Sequence, residues 1–148
     1  MHNLKKRILV VDDDPKITRQ IRFNLELTGE FQVQEENRAT HAVIAARGFL
    51  PDLILLDVIM PDVQGGDVAS EIRTIPKFRE IPIVFLTARA ATAAEIKMHG
   101  GYIGGERFLV KPVNLQELID CLHEELQKAS HRPVEIKSAE DTIPHIAY

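Results

Sequence analysis

The residues able to do chemistry in this chain stand just past short apolar runs. Asp57 closes Leu53-Ile54-Leu55-Leu56-Asp57, and Asp12, Asp13 and Asp14 follow Ile8-Leu9-Val10-Val11. Thr87 follows Ile83-Val84-Phe85-Leu86, and Lys111 follows Phe108-Leu109-Val110. Runs of this kind read as strands buried on both faces. In open α/β sheets, ligands bind beyond the carboxyl ends of such strands. Taken singly, each residue has a plain structural reading. Asp14 and Thr87 would cap helices, Lys111 would be solvated and Phe108 would be core. Together they place acid, hydroxyl and ammonium on one edge, and that conjunction makes a site.

The chemistry follows from charge. Asp12, Asp13 and Asp57 converge if the first and third strands are neighbours, and carboxylates a few ångströms apart repel while burial raises their pKa values. A hard divalent cation resolves the conflict. Magnesium suits a few carboxylate oxygens together with water and phosphate oxygens. Lys111 is placed to pair with Asp57 or with a phosphoryl group, and Thr87 offers a hydroxyl donor. Such a set can stabilise transfer of a phosphoryl group to a carboxylate nucleophile. An aspartyl phosphate on Asp57 would add a charge of about −1.5 to −2, and Thr87 and Lys111 are the groups placed to answer it.

The elements that must position these residues alternate along the chain. After the first strand, Asp14 caps a helix with Pro15 at its first position. Ile17, Ile21 and Leu25 line one face of that helix, and Gly29 ends it. Phe31, Val33 and Glu35 give a weaker strand nearer a sheet edge. An alanine-rich helix is expected from about Thr40 to Gly48, and another segment carries Val68, Ile72 and Ile75. A second alanine-rich helix runs from about Ala90 to Met98. Asn114 and Glu117 form a capping-box-like start to a last helix whose core face is Leu115, Leu118, Ile119, Leu122 and Leu126. Five βα units imply a parallel sheet covered on both faces and doubly wound. The expected domain spans residues 1–129, and residues 130–148 read as a flexible polar tail.

Composition narrows the function. The chain has 148 residues, 45% hydrophobic and 27% charged, which suits one domain with a proper core. Its net charge of −4 argues against a nucleic-acid binder. The lone Cys121 excludes an internal disulfide, fits a reducing cytosol and is expected to pack in a helix. No apolar stretch is long enough to span a membrane, so a cytoplasmic location is expected.

The motifs Ile8-Leu9-Val10-Val11-Asp12-Asp13-Asp14-Pro15, Asp57-Val58-Ile59-Met60-Pro61 with Gly65, Thr87-Ala88 and Phe108-Leu109-Val110-Lys111-Pro112 stand in order over residues 7 to 128. In this the chain resembles the response-regulator receiver domains of bacterial two-component signalling. The resemblance implies a five-stranded flavodoxin-like (βα)5 sheet of order 2-1-3-4-5. It implies that Asp57 accepts phosphate from a sensor histidine kinase or a histidine phosphotransfer protein. Asp13 and Asp57 would ligate magnesium directly, Asp12 largely through water, and the main-chain carbonyl of Ile59 would be a further ligand. Thr87 and Lys111 would bind phosphoryl oxygens, and Phe108 would be the rotameric switch that follows Thr87 inward. The Lys111–Pro112 bond is expected to be cis. Phosphorylation would shift an equilibrium at the face made by the fourth helix, fifth strand and fifth helix.

Some positions depart from the family's pattern. The segment between Thr87 and Lys111 is longer than usual and holds Gly100, Gly101, Gly104 and Gly105 around Tyr102 and Ile103. Ile59 is apolar and Arg89 basic at the two positions that border the hydrolytic water in the family, which implies slow loss of the phosphate. Phe108 lacks the hydroxyl of a tyrosine. The expectation is a stand-alone, monomeric or weakly dimeric switch, not an enzyme, with no DNA-binding output domain. It would act through an unknown protein target or as a phosphorelay intermediate. Two rivals remain at this point. One is a magnesium-dependent phosphohydrolase with its nucleophile after the first strand, for which Asp12 and Asp14 have the spacing. The other is a degenerate receiver that is never phosphorylated.

Overall fold

The computed structural model describes residues 4–61 and 63–131, with the side chain of Ala91 left aside. The expected tail beyond residue 131 lies outside the described residues. Six strands and five α-helices follow in the order β1 (Lys6–Val11), α1 (Pro15–Leu27), β2 (Phe31–Glu36), α2 (Ala42–Phe49), β3 (Leu53–Asp57), α3 (Gly65–Arg73), β4 (Ile83–Thr87), α4 (Ala90–Met98), β5 (Tyr102–Ile103), β6 (Glu106–Val110) and α5 (Leu115–Ser130). The sheet order is β2-β1-β3-β4-β6-β5. The five parallel strands thus stand in the expected 2-1-3-4-5 order, with β6 as the fifth.

The addition is β5, which pairs antiparallel with β6 at the sheet's end. It arises from the glycine-rich segment. Gly104 and Gly105 turn the chain with φ of +58° and +85°, and two successive positive φ values are what a tight two-residue hairpin of the favoured twist requires. Tyr102 then faces Arg107, whose guanidinium lies 5.2 Å from the Tyr102 ring centre. The Tyr102 hydroxyl donates to Glu125 and accepts from Lys128, and Arg107 pairs with Glu124 at 2.7 Å. The hairpin is therefore fastened to α5.

Helices cover both faces of the sheet. One core joins Leu9, Val11, Ile54, Leu56 and Phe85 to α2 and α3 through Ala46, Phe49, Val68 and Ile72. The other joins Ile8, Val10, Leu53, Leu55 and Val84 to α1 and α5 through Ile21, Leu25, Leu118 and Leu122. Alternate residues of β3 go to opposite cores, so all five of its residues are buried and each large aliphatic contributes roughly 1.5–3 kcal/mol.

Several local expectations are adjusted. Ile17 is only half-buried, and Thr18 is the fully buried residue beside it. Leu115 is exposed, and Cys121 takes a core place on α5 instead. Burial pushes the Cys121 thiol up to about 12, so it packs as a small apolar group. Ile75 lies beyond the end of α3, and α2 starts at Ala42 after a short 3-10 turn. Among the described residues, no helix is long and apolar enough to cross a membrane.

Gly65 begins α3 directly over the end of β3. A Cβ there would lie 2.3 Å from the main-chain oxygen of Asp57, a contact with backbone that cannot move aside. Gly66 has open space at the same point. Gly65→Ala should therefore lower unfolding free energy by about 1–3 kcal/mol, while Gly66→Ala should be neutral or stabilising by up to about 1 kcal/mol. Urea unfolding of the two variants measures this, and equal effects would refute it.

Candidate functional site

Register brings the strand ends together. Val11 pairs with Leu56, Asp57 with Leu86, and Thr87 with Val110. The residues just past those pairs, Asp12 and Lys111, therefore share one edge with Asp57 and Thr87. All four line one open cleft of about 430 Å³, together with Asp13, Asp14, Ile59 and Arg89. The sequence-expected residues Asp12, Asp13, Asp57, Ile59, Thr87 and Lys111 are thus brought together. Phe108 sits apart on the α3 side of the sheet, stacked on Phe85 with ring centres 5.1 Å apart.

Asp12 and Asp57 are 1% and 6% exposed, whereas Asp13 is open to solvent. Oxygens of the three lie within 4.8 Å of one another. Lys111 Nζ bridges the buried pair, 2.6 Å from Asp12 Oδ2 and 3.1 Å from Asp57 Oδ1. The approach to Asp12 is a charge contact without hydrogen-bond alignment, which leaves Asp12 Oδ2 a buried oxygen with no hydrogen-bond partner. Burial, with the charges of Asp12 and Asp13, holds the Asp57 carboxyl above its ordinary range despite the pull of Lys111. Burial opposes the charge on Lys111, but Asp12 and Asp57 outweigh it and raise its pKa.

Three close carboxylates, one with a buried oxygen that has no aligned hydrogen bond, are a donor set suited to a hard divalent cation. Asp14 is not part of that set. Its carboxylate accepts from the Lys16 amide at 2.9 Å and caps α1, while its own amide donates to Asp12 Oδ1 at 2.9 Å. Thr87 Oγ1 accepts from the Arg89 amide at 3.2 Å, which leaves its proton for an anion in the cleft. The Lys111–Pro112 bond is cis, as expected.

The sequence reading missed the supports. Asn37 donates to the Asp12 carbonyl at 2.7 Å, and Thr18 is buried against Asn37 and Glu35. A polar residue just after an edge strand and a threonine on the buried side of α1 are the only sequence signs of this.

Comparisons with known proteins agree with this arrangement. A family model described as the response regulator receiver domain matches residues 8–123. The chain is 36% identical over 111 residues to the response regulator Rre1 of Synechocystis sp., covering 75% of this chain and 47% of that protein. It is 31% identical over 134 residues to the DNA-binding dual master transcriptional regulator RpaA of the same organism, covering 90% and 54%. Among solved structures, a putative response regulator from Chloroflexus aurantiacus is similar with a TM-score of 0.71 at 27% identity, covering 84% of this chain and 99% of that one. The chemotaxis protein CheY4 of Vibrio cholerae is similar with a TM-score of 0.70 at 26% identity, covering 82% and 99%. The chain belongs to the response regulator receiver domain family of two-component signalling. It spans about half the length of the curated relatives it matches, so the DNA binding in the name of RpaA is a property of that protein.

The carboxylate crowding has a measurable consequence. The Asp57 carboxyl is raised above the ordinary value of 3.8. Its contribution to stability is therefore present below that value and is lost as pH rises through its higher folded-state pKa. Asp57→Asn removes the penalty. It should unfold like wild type near pH 3.5 and be more stable by on the order of 1 kcal/mol at pH 7 without divalent cations. An advantage that stays constant or shrinks with rising pH in urea titrations would rule this out.

Proposed function

We propose that this chain is a phospho-aspartate switch. Asp57 takes a phosphoryl group from a phosphohistidine on a sensor histidine kinase or a histidine phosphotransfer protein. The observation that carries this reading is the grouping of Asp57 with Asp12, Asp13, Thr87 and Lys111 in one cleft. Magnesium would be held by Asp12, Asp13, Asp57 and the Ile59 carbonyl, and when bound it supplies positive charge against phosphoryl oxygens.

The chain's own residues do the rest. Lys111 engages Asp57 Oδ1, and no described residue hydrogen-bonds Asp57 Oδ2, which is the oxygen free to attack phosphorus. The new P–O bond forms as the P–N bond to the donor histidine breaks, and that electron pair remains on the imidazole nitrogen. Charge built up on the phosphoryl group is met by the Lys111 ammonium and the Thr87 hydroxyl proton. Thr87 is drawn toward the new anion. Phe108, one strand over and stacked on Phe85, then changes rotamer and alters the face of α4, β6 and α5. Output passes through protein contacts at that face, and the domain acts as a switch, not as a turnover enzyme. Asp14's commitment to capping α1 weighs against the phosphohydrolase reading, since that chemistry needs it as the second acid.

The test is intact mass after incubation with acetyl phosphate and magnesium. One phosphate should add to wild type, only with magnesium, and none to Asp57→Ala. An adduct that persists on Asp57→Ala would move the nucleophile elsewhere and revive Asp12. Ile59, 47% exposed at the cleft mouth, sits where hydrolytic water must approach. Ile59→Asn should therefore shorten the lifetime of the adduct, and an unchanged decay would remove that role.

A further inference from the structure

Asp12 is held at every polar atom, at three of them by hydrogen bonds and at Oδ2 by the Lys111 ammonium 2.6 Å away. Its amide donates to the Glu36 carbonyl at 3.1 Å, and its Oδ1 accepts from the Asp14 amide at 2.9 Å. Its carbonyl accepts from Asn37 Nδ2 at 2.7 Å. Only Oδ2 is left without a hydrogen bond. The Asn37 contact comes from outside β1 and its loop. A carbonyl oxygen can only accept, so the amide nitrogen of Asn37, and not its oxygen, must face Asp12. The second amide proton goes to Thr18 Oγ1 at 3.0 Å. Thr18 is fully buried, and its hydroxyl donates in turn to Glu35 Oε1 at 2.8 Å. Arg22 lies 3.6 Å from the other oxygen of Glu35. The orientation of Asn37 is thus set by α1 and β2 together.

The Asp12 carbonyl belongs to the peptide that joins Asp12 to Asp13. Asp13 is exposed, and no described residue hydrogen-bonds its carboxylate. Its direction therefore follows the main chain, which the Glu36 and Asp14 bonds hold on either side and which Asn37 engages at the Asp12–Asp13 peptide itself. We propose that Asn37, locked by Thr18, is a positioning residue. It fixes the Asp12–Asp13 peptide plane so that both carboxylates address one divalent cation together with Asp57. Partners that orient ligands in this way are typically worth 10- to 100-fold in metal affinity. The inference rests on the magnesium-dependent reading above.

The experiment is a calorimetric magnesium titration of the full chain in four forms: wild type, Asn37→Ala, Asn37→Asp and Thr18→Val. Urea unfolding in EDTA reports on the fold separately. Asn37→Ala should weaken magnesium binding about tenfold. Asn37→Asp keeps the shape but sets a carboxylate against the carbonyl, and it should be at least as impaired. Thr18→Val keeps the packing volume and should show a smaller loss in the same direction. Saturating magnesium should restore the phosphorylation rate of Asn37→Ala with acetyl phosphate. Magnesium affinity within twofold of wild type for Asn37→Ala would overturn the inference alone. So would full affinity in Asn37→Asp, because a space-filling role predicts that result. Wild type that takes up no magnesium would overturn the functional reading and this inference with it.

Discussion

The constraint behind the whole site is the crowding of carboxylates that the fold itself has buried. Asp12 and Asp57 are nearly inaccessible, and each would be better solvated almost anywhere else on the surface. Burial disfavours the charged form of a carboxylate, and a neighbouring carboxylate adds to that. Lys111 offsets part of the cost, but one ammonium against three acids leaves net negative charge, and Asp12 Oδ2 has the Lys111 ion pair but no aligned hydrogen bond. A site in this condition is poised for cations and for chemistry that changes its charge. The same imbalance makes the domain less stable than its core alone would allow, as is common where function and stability compete.

The parts that create this crowding were readable from the chain because they are set by short-range rules. Apolar runs ending in Asp12, Asp57, Thr87 and Lys111 have strand length, and strands that alternate with helices must form a parallel sheet. Once parallel order is granted, residues following each strand fall on one edge with no further information. The positions of Asp14, Pro15 and Asn114 as helix starts follow equally from local hydrogen-bonding. The burial of β3 on both faces follows from the absence of any polar residue between Asp52 and Asp57.

What the chain did not disclose depends on contacts between residues distant in sequence. Asn37 and Thr18 look like ordinary turn and helix residues until β2 and α1 are set beside β1. Leu115 looks like a core residue by spacing, but it is the first residue of α5 and is exposed, and burial begins at Leu118. The glycines from 100 to 105 signal an irregular connection. They do not say that the intervening Tyr102 and Ile103 will pair back on β6, because that depends on Arg107, Glu125 and Lys128 receiving the tyrosine.

The packing of α4 gives the proposed responsive side of the domain a physical basis. No described residue of α4 joins either core cluster, and Ile96 is the helix's one residue described as buried. An alanine-rich helix with so little apolar surface to bury is held weakly, and weakly held segments are those that rearrange at low free-energy cost. Beside it, β6 is fixed on one flank by the ladder to β4 and on the other by the Tyr102 hairpin and its ties to α5. Phe108 is half-buried, and its stacking on Phe85 is worth about 0.5–1.5 kcal/mol beyond area burial. Under the proposed function, that is a small barrier to rearrangement when a phosphoryl group arrives beside Thr87. The acid-bearing strands β1 and β3 are packed on both faces and hold the reacting groups in register. β4 is buried likewise and carries Thr87, while α4 and the half-buried Phe108 are the more weakly packed parts beside it.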